Sequence, residues 1–151
     1  MSPPLRVLFL CTGNSARSQM AEALLRHLSD GRVEVQSAGT HPRPEVHPMA
    51  KAALADRFKL AGDGLFPKHL DRFLGERFDY VITVCDHASE SCPVFPGAPA
   101  RIHWSLPDPA AAPGTPEEQQ RAFDQTAMDL AARLRLWLSL PAIGQRLRDR
   151  Q

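Results

Sequence analysis

The stretch VLFLCTGNSARSQMAEALL, residues 7–25, changes its period in the middle. It begins with four uninterrupted apolar residues, which suit a strand covered on both faces. Further on, Ala21, Leu24, Leu25 and Leu28 fall at i, i+3, i+4 and i+7, one face of a helix. Between the two lies a polar turn holding Cys11, Gly13, Asn14 and Arg17. Strand, tight loop and helix in that order form the layout in which backbone amides and a helix N-terminus converge on an anion. Gly13 and Asn14 are the residue types that most easily take positive φ, which aims successive amides inward. Arg17 can fork onto two oxygens of a tetrahedral oxyanion. The same donors stabilise a thiolate, and such sites hold cysteine pKa values at ~3.5–7.5. One cluster would thus ionise Cys11 and grip the group it attacks. Thr12, Gly13, Asn14, Ser15, Ala16, Arg17 and Ser18 are the expected oxyanion-binding residues, with Ser18 donating to the thiolate or capping the helix. The bland alternative, Cys11 as a small buried hydrophobe, fits poorly beside so polar a loop.

Outward from this stretch, strand and helix signals alternate. Strands are expected at 5–10, 33–39, 80–84 and 101–104, and helices at 49–60 and, in a short piece, 68–75. Asp30 and Gly31 end the first helix. Phe123, Ala127, Leu130, Leu134 and Trp137 step by four, three, four and three, a long helix opened by Thr115 as N-cap and Pro116 in its first turn. The resulting fold class is α/β, a single-domain, doubly wound, parallel four-stranded sheet flanked by helices. All strands of such a sheet open their carboxyl ends on one edge, where ligands bind. Cys11 and Cys85 each follow a strand directly, and Asp108 lies shortly after another. Three chemically capable side chains therefore meet on one edge, although Asp-Pro at 108–109 also suits an ordinary turn.

The chain has 151 residues, enough for one domain with a sizeable core. Its 18 basic and 17 acidic residues leave a formal charge of +1, which argues against nucleic-acid binding. No apolar run approaches a membrane span or signal-peptide core, so no membrane association and a cytoplasmic location are expected. In that compartment the three cysteines are reduced. The terminal GQRLRDRQ reads as a solvated basic end. Seven of the 14 prolines fall between Pro93 and Pro116. A metal bound by Cys85, His87 and Cys92 is not expected, because the spacing is not that of structural zinc. His27, His41, His47, His69 and His103 are assigned surface or packing roles, with His69 a weak candidate for tuning a thiol.

Residues 7–26 resemble the phosphate-binding loop and first helix of the low-molecular-weight protein tyrosine phosphatases, and more closely their arsenate reductase branch. VQSAGT, VITVCDHASESCPVFPG and HWSLPDPA extend the likeness in order over nearly the whole chain, residues 1–151. The resemblance implies a cysteine nucleophile, Cys11, a bidentate Arg17 and a general acid, Asp108. Phosphatases of this family follow the Asp-Pro with tyrosines that flank an aromatic substrate, whereas Ala110, Ala111 and Ala112 stand here. Phosphate hydrolysis has no use for Cys85 and Cys92, while reducing arsenate needs two electrons from a dithiol. The resemblance thus implies a relay: Cys11 attacks arsenate, Cys85 attacks Cys11 to release arsenite, and Cys92 then bridges to Cys85. Thioredoxin or another thiol is the implied external reductant, with no tightly bound cofactor and a weak phosphatase side activity. Bridging demands α-carbons within ~7 Å, so residues 85–100 are expected to form a mobile redox segment. Some members hold a structural potassium ion. Asn14, Glu22, Ser37 and Asp71 correspond to its ligands, but Leu70 replaces an expected threonine. A monomer is expected. The alternatives are a phosphatase whose extra thiols protect its nucleophile, and a non-catalytic oxyanion or redox-sensing module.

Overall fold

The computed structural model describes residues 3–86 and 92–149. Among the described residues the strands and α-helices run β1 (Leu5–Cys11), α1 (Arg17–Leu28), β2 (Val33–Gly39), α2 (Pro48–Phe58), β3 (Tyr80–Thr83), β4 (Ala100–His103), α3 (Pro116–Leu138) and α4 (Pro141–Arg148). The strands form one four-stranded sheet in the order β2-β1-β3-β4, every pair parallel. Both alternating sets of β1 side chains are buried apart from partly covered Arg6, because layers cover both sheet faces. That is why its sequence reads as a continuous apolar run. β4 closes one edge and is short and mostly exposed, with Arg101 and His103 discouraging further strand pairing.

Short connections set where the elements begin and end. Asp30 and Gly31 both adopt positive φ after α1. Lys59 caps α2 in the left-handed conformation, and the His47 side chain accepts the Met49 amide at its other end. Thr115 and Glu118 form a complete capping box on α3. The helical piece expected at 68–75 contracts to a 3-10 turn over Leu70–Phe73, whose first amides are met by the His69 ring. His69 is therefore a cap, and nothing ties it to a thiol among its described contacts.

The basic end is more than a solvated tail. Residues 141–148 form α4, which buries Ile143 and Leu147. Its Arg146 donates to the Pro3 carbonyl and pairs with Asp79. Two apolar residues four apart suffice to seat this helix, too few to stand out amid arginines. Among the described residues no helix is long and apolar enough to cross a membrane. The expected redox segment over 85–100 falls partly on residues 87–91, outside the described residues.

Candidate active site

Cys11 is the last residue of β1 and Arg17 the first of α1, so residues 12–16 must turn at the sheet's carboxyl edge. The orientation of this turn follows from what happens to its carbonyls. Those of Cys11, Thr12, Gly13 and Ser15 accept the amides of Thr40, His41, Arg43 and His47. The Asn14 carbonyl accepts the Gln19 side chain, and that of Ala16 accepts the Met20 amide. All six acceptors are thereby turned into the protein. The amides of Gly13, Asn14, Ser15 and Ala16 have no acceptor among the described residues. Nor does any side chain cap the start of α1. What remains is a ring of donors facing one space, the arrangement of an anion-binding nest.

Asn14 alone carries the positive φ, at 47°. Gly13 does not adopt it, contrary to expectation. Its missing side chain instead leaves room for Arg43, whose Cγ and Nε would lie 3.3 Å from an added Cβ. The glycine that the loop most needs is Gly39, where a Cβ would stand 2.5 Å from the Thr12 carbonyl oxygen. Ser18 does not cap the helix; the N-cap is Ala16, and the Ser18 hydroxyl accepts from Asn14 Nδ2.

A cavity of about 800 Å³ opens over this ring. Residues 11–17 line it together with Asp108, Ala110 and the segment 41–44, while Ser18 does not. Arg17 donates from one terminal nitrogen to the Leu106 carbonyl at 2.9 Å, which ties the Asp108 loop to the anion loop. Its Nε is buried without an acceptor among the described residues, and such an orphan marks a place for an incoming oxygen. Asp108 starts a 3-10 turn over Pro109–Ala111 and accepts the Ala110 amide. Its chain position after β4 is what brings it to the same edge as Cys11.

The thiols behave differently from expectation in one respect. Cys11 is pushed well above the ordinary thiol value, first by its hydrogen bond with Cys85 and then by burial. Arg17 and the Thr12 amide pull it down but do not prevail. The second thiol thus acts on Cys11 in the direction opposite to the loop's positive groups. Cys85 also contacts the Thr12 hydroxyl at 3.2 Å. Cys92 sits apart, its thiol near the Pro93 carbonyl and beside a small cavity of about 100 Å³ shared with Arg101 and His103. Burial raises its pKa and Arg101 opposes the rise. His103 links Thr83 to Asp86, at 2.7 and 2.8 Å, and so braces the residue after Cys85.

The four potassium candidates do not assemble into an ion site. Asn14, Glu22 and Ser37 are buried together, but the ammonium of Lys68 lies 3.5 Å from Glu22 Oε1 with both side chains 5% exposed. Asp71 is 73% exposed and pairs with His69. The Lys68 ammonium thus stands beside Glu22, and no group of three His, Cys, Asp or Glu side chains able to hold a metal occurs among the described residues. His87, the middle member of the rejected Cys85–His87–Cys92 set, lies outside the described residues.

Sequence reasoning missed three contributors: Gly39, Lys68 and the segment 40–47, whose amides hold the loop carbonyls. The prolines of HPRPEVHP, directly after a strand ending on the ligand edge, were the available signal for the last.

Comparison with known proteins agrees with this geometry. Residues 6–149 match the model of the family described as low molecular weight phosphotyrosine protein phosphatase. An arsenate reductase of Shouchella clausii is 36% identical over 130 residues, covering 85% of this chain and 91% of that protein. The structure of a thioredoxin-dependent arsenate reductase of Corynebacterium glutamicum superposes with a TM-score of 0.63 at 34% identity, over 89% of this chain and 64% of that one. An arsenate reductase solved in its phosphate-binding state gives 0.68 at 26% identity, over 89% and 97%.

Proposed function

Because the chain belongs to the low molecular weight phosphotyrosine protein phosphatase family, we propose that it turns the anion loop of that fold to reducing arsenate to arsenite. The observation that carries this reading is a second buried thiol beside the anion loop: Cys85 contacts the Thr12 hydroxyl at 3.2 Å and raises the Cys11 pKa. A hydrolase needs the first thiol; only a redox reaction needs the second within reach of it. The absence of an aromatic wall after Asp108, where Ala110–Ala112 stand, agrees with a small inorganic substrate.

The reaction runs as follows. Arsenate enters the ring, its oxygens accepting the free loop amides and the Arg17 fork. Cys11 Sγ attacks arsenic and an S–As bond replaces one As–O bond. Asp108 protonates the departing hydroxyl, which leaves as water, and takes up the proton given by the Cys11 thiol. Cys85, as a thiolate, then attacks Cys11 Sγ. The S–As bond breaks with its electron pair left on arsenic, so As(V) becomes As(III), and arsenite departs and takes protons from water. The Cys11–Cys85 disulfide passes to Cys85–Cys92 when the Cys92 thiolate attacks Cys85, which frees Cys11. An external dithiol, for which thioredoxin is the proposed source, supplies the two electrons that reopen it. This exchange requires the Cys85 and Cys92 α-carbons within ~7 Å of each other. Residues 85–100 therefore act as the redox segment of the single domain.

The test couples the protein to thioredoxin, thioredoxin reductase and NADPH. Arsenate-dependent NADPH oxidation is expected, lost in Cys11→Ser. Cys92→Ser should release arsenite once per protein and then stop. Sustained turnover by either variant would refute the relay. The family itself favours a second reading, phosphatase action, and a kcat/KM for p-nitrophenyl phosphate far above that for arsenate would select it.

A further inference from the structure

The reaction above leaves unused a cluster of charges behind the loop, in which Glu22 faces the largely buried Lys68 at 3.5 Å and the half-exposed Arg26 at 3.1 Å. Glu22 and Lys68 are both almost fully buried, and isolated charges there would be strongly disfavoured. The Lys68 ammonium also donates to the Phe66 carbonyl at 3.0 Å and lies 4.6 Å from the Phe66 ring centroid. Burial lowers the Lys68 pKa, and Glu22 opposes that shift.

The donor directions beyond Glu22 are forced. An ionised carboxylate only accepts, so the Ser37 hydroxyl must donate to Glu22 Oε1, at 2.7 Å. Ser37 Oγ is then left to accept from Asn14 Nδ2, at 2.9 Å. With Nδ2 so placed, Asn14 Oδ1 faces the Lys68 amide and the Gln19 side chain, at 2.8 and 3.0 Å. Asn14 is the loop's one residue at positive φ, and it is fully buried. An ion pair followed by two hydrogen bonds therefore links the Lys68 ammonium to the residue that bends the loop.

We propose that Lys68 is a positioning residue whose ammonium serves the anion loop as a built-in cation, keeping Glu22 an acceptor and so fixing Asn14, which makes oxyanion binding indifferent to potassium. This rests on residues 11–17 being the oxyanion site, and the experiment separates the two. Inorganic phosphate is titrated calorimetrically into the reduced protein in potassium, sodium and tetramethylammonium buffers of equal ionic strength. The wild type is expected to bind equally in all three, within about twofold. Lys68→Ala should bind at least about tenfold more weakly in tetramethylammonium and recover when potassium or methylammonium is added. Wild-type affinity that varies severalfold between cations, undiminished binding by Lys68→Ala, or a loss that neither cation reverses would each overturn the inference. Should Lys68→Ala not fold, Lys68→Met keeps the buried stem. It should lose affinity, and adding Glu22→Gln, which removes the charge but leaves an acceptor for Ser37, should restore it; failure to restore it refutes the role. A wild type that binds no phosphate in any buffer overturns the anion-loop reading and this inference with it.

Discussion

Gly39→Ala is the sharpest probe of how the loop is held. An added Cβ would stand 2.5 Å from the Thr12 carbonyl oxygen, 3.0 Å from Asn14 Cβ and 3.1 Å from the Asn14 amide nitrogen. Carbon–oxygen contacts close in only to about 3.3 Å, so about 0.8 Å of movement is required. Neither side yields freely. The Gly39 amide donates to the Lys68 carbonyl, Gly39 pairs in register with Cys11, and the Thr12 carbonyl is held by the His41 amide. The displacement must be taken up by the turn that carries the free amides. A misplacement near 1 Å costs roughly 10²-fold in a site that works by positioning. Overpacking of this kind costs about 1–3 kcal/mol in stability, with each kcal/mol lowering Tm by about 2–4 °C in a domain of this size. Phosphate titration and thermal melting measure the two effects separately. Gly13→Ala is the internal comparison: its Cβ meets only the movable Arg43 side chain, at 3.3 Å, and its loss of affinity should be at least about tenfold smaller. Phosphate binding by Gly39→Ala within about threefold of wild type, at unchanged Tm, would refute the argument that this close approach sets the loop.

Arg17→Lys keeps a charge but loses the fork whose Nε is now unaccepted, so phosphate affinity should fall about 10-fold or more in calorimetry, and equal affinity would deny Arg17 a bidentate role. Cys85→Ala removes the first cause of the raised Cys11 pKa; the pH midpoint for iodoacetamide labelling of Cys11, followed by mass spectrometry, should move down, and an unmoved midpoint would contradict the pairing. The same shift has a sign for stability. Above the ordinary thiol pKa of ~8.5 the folded state keeps a proton that the unfolded chain has released, so stability should decline with alkaline pH, and less steeply in Cys85→Ala. Thr115→Ala breaks the capping box on α3 and should cost about 1 kcal/mol, read as a lower Tm, with arsenate turnover as in wild type because α3's cap lies outside the loop.

Much of this architecture was legible because single elements announce themselves. β1 is buried on both faces and so reads as an unbroken apolar run; α3 is amphipathic over six turns and carries its own cap. That Cys11, Arg17 and Asp108 line one cavity was also readable, since a parallel sheet delivers whatever follows its strands to one edge. What escaped depended on contacts between distant segments. Lys68 touches Asn14 and Glu22 across 54 and 46 positions, and nothing local distinguishes it from a surface lysine. The pull of Cys85 on Cys11 was not legible, because it comes from the end of another strand. Gly13 serves clearance and not positive φ, and the clearance at Gly39 went unread, because a glycine's reason is visible only once its neighbours are placed. α4 was overlooked because a helix of eight residues can dock on two apolar side chains.

The clasp between Arg146 and the Pro3 carbonyl joins α4 to the segment before β1, at the foot of that strand and opposite the thiol edge. The seven residues of β1 separate that clasp from Cys11, roughly 20 Å of extended backbone. A short linker could therefore join residue 3 to residue 149, and the chain could be opened after α1 or before α3 instead, giving a rearranged domain whose thiol edge is left intact. Groups attached near residue 3 or residue 149 would likewise stand clear of the cavity over Cys11.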